Sequence, residues 1–222
     1  MKEQKKLMQA SGVEAAFRML SLRRLCMLYS MNTHILYLHG FLSSPASEKA
    51  MMLAGHMADR GLGHLFHAPL LPSEPLAAML AIEAEIIDFE FEPFIMVGSS
   101  LGGYLAQIMA EKWNARAVLV NPAAYPYRHA DEYVGIHTHH HTGEQVVVRR
   151  EYFDILRQAE PARVTPSRYW LLSCTGDEVL DYRDGVERFA GCRQTLLDGG
   201  DHSFPQFGDY LDEILAFAAE ED

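Results

Sequence analysis

The chain has 222 residues, 49% of them hydrophobic, enough for one domain with a sizeable core. Its net charge of −11 argues against a nucleic-acid partner and against general attraction to anionic membranes. No apolar run reaches membrane-spanning length, so no stable membrane insertion is expected. The three cysteines, Cys26, Cys174 and Cys192, are odd in number and lack C-x-x-C spacing, which points to a reducing, cytoplasmic compartment without a disulfide frame.

Residues 1–30 differ in charge from the rest. They carry Lys2, Lys5, Lys6, Arg18, Arg23 and Arg24 against Glu3 and Glu14, a net +4 that leaves −15 on the remainder. Charges interrupt any signal-peptide core, and an amphipathic helix fits Val13 to Tyr29. The segment is expected to be an N-terminal extension ahead of a domain spanning 31–222, with Met31 as the natural start.

His34–Leu38 reads as a buried strand, followed by His39-Gly40-Phe41 and a helix from Ala46 to Asp59. His64–Ala68 reads as a second strand, and Pro75 opens a helix through Ile87. Pro93–Val97 is a third strand, with a helix over Tyr104–Trp113 behind it. Ala117–Val120, Arg168–Cys174 and Arg193–Leu197 are the fourth to sixth strands, and Asp209–Ala219 closes the chain with an amphipathic helix. Short apolar strands alternating with helices predict an α/β fold, with a mostly parallel sheet of about six strands and helices on both faces.

Gly98-Ser99-Ser100-Leu101-Gly102 lies between the third strand and its helix, the strand–turn–helix setting that a G-x-S-x-G nucleophile elbow requires. Glycines two residues either side of Ser100 let strand and helix pass closely. The turn aims the first helical N–H groups, Leu101 foremost, at the position of an oxyanion. Ser99 is the weaker candidate, because Val97 and Leu101 occupy its flanks. In a parallel α/β sheet ligands sit at the carboxyl ends of the strands. Thr175-Gly176-Asp177-Glu178 follows the fifth strand there and Asp198-Gly199-Gly200-Asp201-His202 the sixth. Serine, acid, histidine is the chain order of α/β-hydrolases.

With these motifs the chain resembles the α/β-hydrolase superfamily from about residue 31 to its end. Within it, Leu38–Pro45, Gly98–Tyr104, Asn121-Pro122-Ala123, Thr175–Leu180 and Gly199–Phe204 are similar to the small bacterial YqiA-like esterases. The expected roles are Ser100 as nucleophile, His202 as general base, Asp177 as its orienter, and the Leu101 and Phe41 N–H groups as oxyanion hole. Glu178, Asp181 and Asp184 are rival acids. The expected activity is that of a serine carboxylesterase on small acyl esters, with no cofactor and no metal. An acyl-CoA thioesterase is the alternative, and a non-catalytic binding protein on the same fold the alternative of another class.

Three features have blander readings. His39 reads as a structural loop histidine. In a strand, His137, His139 and His141 would share a face fit for a transition metal, but with His140 they are expected in a solvated loop. Residues 123–165 exceed one crossover and form either a small cap over the serine or a decorated crossover with its own satellite core. Cys174 has no elbow and reads as a core cysteine.

Overall fold

The computed structural model describes residues 32–139 and 142–220. The extension 1–30, His140 and His141 lie outside the described residues.

Apolar runs of strand length build the centre. β1 (His34–Leu38), β2 (Phe66–His67), β3 (Phe94–Ser99), β4 (Arg116–Val120), β7 (Tyr169–Cys174) and β8 (Arg193–Leu197) form one sheet in the order β2-β1-β3-β4-β7-β8. Every neighbouring pair is parallel. β1 lies inside the sheet, and from it the chain steps to the β2 edge, then reverses to β3. The order therefore switches between β1 and β3, where crevices open at the strands' carboxyl ends.

Side chains of a strand alternate between faces, and both faces here are apolar. Ile35, Tyr37, Ile95, Val97, Trp170 and Leu172 point to one face, under α1 (Glu48–Ala58) and α7 (Leu211–Ala219). Leu36, Leu38, Met96, Leu119 and Leu171 point to the other, under α2 (Pro75–Asp88) and α3 (Leu101–Trp113). Fully burying one such aliphatic side chain stabilises by about 1.5–3 kcal/mol.

β1 and β8 span the expected residues, and β3, β4 and β7 differ by one or two at their ends. β2 is shorter than expected, because Gly63–Leu65 coil into a 3₁₀ turn and leave two residues to pair with β1. The closing helix starts at Leu211, after a 3₁₀ turn over Pro205–Tyr210. A short α6 (Tyr182–Arg188) follows the Asp177 loop.

Residues between β4 and β7 form α4 (Ala130–Tyr133), the antiparallel hairpin of β5 (Gly135–Thr138) and β6 (Gln145–Val148), and α5 (Arg150–Ala159). Here the expectation of a solvated histidine loop fails for His137. It lies on β5 opposite Val146, because the Val146–Val148 run recruits it into the hairpin. Its Nε2–H donates to the Tyr133 carbonyl at 2.6 Å, and its ring meets Phe41 edge-on. α5 docks on α3, where the buried Tyr104 hydroxyl donates to the Leu156 carbonyl at 2.9 Å. Arg188 of α6 grips the same segment, donating to the Pro161 carbonyl and to Gln107.

No helix among the described residues is long and apolar enough to cross a membrane.

Candidate active site

Ser100 has φ 55° and ψ −122°, a conformation that costs a non-glycine residue on the order of 1–3 kcal/mol. The surroundings hold it there. Its N–H donates to Val120 O across the sheet at 3.0 Å, and its carbonyl accepts from Gly103 and Ala123. The glycines are steric necessities. A Cβ on Gly98 would run into the backbone of Gly102, and one on Gly102 into the carbonyl of Leu38. The reward for this strain is direction, because the Ser100 hydroxyl points out of the sheet at the switch between β1 and β3.

His202 reaches it from the loop after β8. Its Nε2 lies 3.1 Å from Ser100 Oγ, and its Nδ1 lies 2.8 Å from Asp177 Oδ2. With Nδ1–H donating to the carboxylate, Nε2 carries the lone pair and accepts from the serine hydroxyl. The Asp177 side chain is 2% exposed, and its other oxygen accepts from Val179 N at 2.9 Å and Leu180 N at 2.8 Å. The structure therefore brings Ser100, His202 and Asp177 into one hydrogen-bonded line.

The rival acids have other partners. Glu178 accepts from the His202 backbone N–H at 3.0 Å. Asp181 caps α6 and pairs with Arg183, whose hydrogen bonds hold the carboxyl down at about 2. Asp184 faces Arg128.

Two loops must cross closely to make this line. Gly176 N donates to Gly199 O at 2.9 Å, and a Cβ on Gly176 would sit 2.5 Å from Gly200 O. Asn121, buried at the end of β4, ties the arrangement together. Its amide donates to the carbonyls of Asp201 and His202 at 3.0 and 3.1 Å, and its Oδ1 accepts from Cys174 N at 2.9 Å. Asn121 carried no expected role. The available signal was an asparagine directly after a buried strand, where its side chain can bridge neighbouring strand ends.

Phe41 and Leu101 flank Ser100, and Gly40 packs against the serine Cβ. Neither the Phe41 nor the Leu101 N–H has an acceptor among the described residues. His39 is buried and structural as expected. Its Nδ1–H donates to Gly40 O, and its Nε2 accepts from Leu71 N. Ser99 is buried at the end of β3 beside Tyr37, whose hydroxyl burial pushes up to about 12. Cys174 is a buried core thiol raised by desolvation, as the sequence implied.

Among the described residues, two cavities meet at Ser100. One, of about 80 Å³, is apolar, walled by Leu101, Tyr133, Val148, Phe153 and Leu156 among others. The other, of about 350 Å³, is lined by Tyr37, Ser43, Ser47, Lys49, His202 and Ser203. Phe41, Ser100, Tyr133 and Val179 belong to both.

Solved structures share this architecture at low identity. The mouse alpha/beta hydrolase domain-containing protein 10 superposes with a TM-score of 0.63 at 17% identity, over 84% of this chain and 89% of that one. The monoacylglycerol lipase of Paleococcus ferrophilus gives 0.60 at 14%, over 83% and 93%. The esterase domain of a Rhodothermus marinus protein gives 0.60 at 14%, over 84% and 86%. The fold is thus the α/β-hydrolase fold that the motifs implied, and the chain belongs to the uncharacterised protein family UPF0227, whose model matches residues 34–219.

Proposed function

We propose that the protein is a serine carboxylesterase that hydrolyses small acyl esters through an acyl-enzyme intermediate. The observation that carries this reading is the line from Ser100 Oγ through His202 to Asp177, with Ser100 held at a positive φ. His202 Nε2 takes the hydroxyl proton as Ser100 attacks the ester carbonyl. The N–H groups of Leu101 and Phe41 receive the developing oxyanion. The imidazolium, stabilised by Asp177, then gives its proton to the departing alcohol. Water, deprotonated by the same Nε2, releases the acid.

In this reading residues 123–165 act as a cap. Tyr133 and Val148 of that segment, with Phe153 and Leu156 of α5, wall the apolar cavity, whose small volume suits a short acyl chain. The unpaired Cys174 and Cys192 support a reducing compartment. Similarity to an esterase domain and a lipase supports ester chemistry at the level of the fold.

The test is labelling with a fluorophosphonate, with the modified residue mapped, together with hydrolysis of a p-nitrophenyl butyrate probe. Ser100→Ala is expected to abolish both, while Ser99→Ala retains a substantial part. Equal loss from both variants overturns the assignment. Rates on matched ester and thioester pairs separate the esterase from the acyl-CoA thioesterase.

A further inference from the structure

The two cavities at Ser100 differ in chemistry: one is almost wholly apolar, while the other mixes apolar walls with the charged and hydroxyl groups that make it the more polar of the two, hence the polar cavity, and the reaction assigns a substrate half to each. His202 lines the polar cavity but not the apolar one. The group that protonates the departing oxygen must lie on the leaving-group side of the carbonyl. The alcohol half of the ester therefore occupies the polar cavity, and the acyl half the apolar one.

The polar cavity carries a single formal charge among the described residues. Lys49, in the first turn of α1, is the only lysine, arginine or carboxylate among its described lining residues, where it joins the hydroxyls of Tyr37, Ser43, Ser47, Ser99 and Ser203 and the apolar side chains of Phe41 and Val179. Lys49 Nζ donates to the Ser203 carbonyl at 2.6 Å, one residue past His202. No carboxylate lies within 4 Å of the amine among the described residues. An ammonium has three donors, so two remain for a ligand. The nearby carboxylates Glu48, Asp201 and Asp177 do not line the cavity. Asp201 is engaged by Ser203 and Asp177 by His202. Partial burial of the amine lowers its pKa, through desolvation that a bound anion would offset. The chain's net charge of −11 supplies no general attraction for an anion, so any preference for one has to come from this local cation.

We infer that the substrate is an ester whose alcohol half carries an anionic group, a carboxylate or a phosphate, held by Lys49 in the polar cavity beside His202. This inference rests on the esterase reading above. It assigns Lys49 as the residue that sets leaving-group specificity.

The competing role for Lys49 is purely structural, anchoring the His202–Ser203 loop through the Ser203 carbonyl. The two roles separate on a matched pair of probes, the butanoyl esters of 4-hydroxybenzoate and of 4-hydroxybenzamide. These share an acyl group and the shape of the leaving group and differ in one charge. A charge-assisted hydrogen bond predicts a preference of about tenfold in kcat/KM for the carboxylate ester, expressed mainly in KM. Lys49→Met is expected to lower kcat/KM for the carboxylate ester about tenfold more than for the amide ester, and Lys49→Arg to restore the preference. Equal losses on both esters would assign Lys49 to the loop and overturn the inference. So would a native protein that hydrolyses both esters without preferring the carboxylate, which leaves the esterase reading standing. A protein that hydrolyses neither ester and leaves Ser100 unlabelled by fluorophosphonate overturns both.

Discussion

At the scale of single residues the proposed chemistry depends on one buried carboxylate. Asp177 accepts from two backbone N–H groups and from His202, so it is held in place whether or not the histidine is charged. Asp177→Asn keeps the shape but presents the wrong partner to Nδ1. The expected loss in kcat is on the order of 10⁴, with KM little changed, because the interaction matters once the imidazolium forms. Steady-state kinetics on the butyrate probe checks it. An active Asp177→Asn with an inactive Glu178→Gln would move the acid by one residue. That Asp177 would stand against His202 was legible from its being the first acid past its strand. The sequence could not exclude Glu178, because its bond to the His202 backbone exists only once two distant loops meet.

Among the elements, the strand–turn–helix around Ser100 leaves no room for side chains at its crossing points. Gly102→Ala pushes a methyl group into the Leu38 carbonyl, a contact the β1–β3 pairing cannot relieve without shifting the N–H groups of Phe41 and Leu101 that are proposed to bind the oxyanion. Overpacking of this kind costs about 1–3 kcal/mol or more. The variant is expected to lose most of its activity and to unfold at lower urea than the native protein. Retained activity with unchanged stability would mean the turn has slack that the geometry denies. β1, the elbow and β8 were readable as local patterns of apolar residues and glycines. The hairpin of β5 and β6 was not, because its strands alternate weakly and pair only with each other. His137 was misassigned for that reason.

Across the molecule, a second polar arrangement sits at the end of the sheet opposite the serine. His34 Nδ1 lies 2.8 Å from His67 Nε2, and His34 Nε2 lies 2.7 Å from Glu92. Glu85 faces the far side of His67 at 4.0 Å, and Phe89 packs on both rings. With both rings neutral, His34 donates to Glu92 and accepts from His67. Burial, with the neighbouring His34, lowers the pKa of His67. The unfolded chain then binds more protons than the folded one at and below about pH 6.5, the ordinary histidine range, down to the lowered folded value. Stability is therefore full above that range and falls as the pH drops through it. Urea midpoints are expected to be lower at pH 5.5 than at 7.5, with a smaller difference in His67→Gln. An equal difference in the variant would assign the pH dependence elsewhere.

Local sequence patterns were enough for the α/β class, the six strands of the main sheet, and the loops that carry Ser100, Asp177 and His202. These follow from local rules: apolar runs make buried strands, glycines permit the tight turn, and strand ends face the crevice. Tertiary structure alone decided how those loops meet. Asn121 bridges β4, β7 and the His202 loop, and the insertion folds onto α3 to wall the apolar cavity. Lys49 reaches Ser203 across 154 positions of chain. Each is a contact between segments remote in sequence, where a side chain's partner depends on the path of the whole backbone rather than on its neighbours.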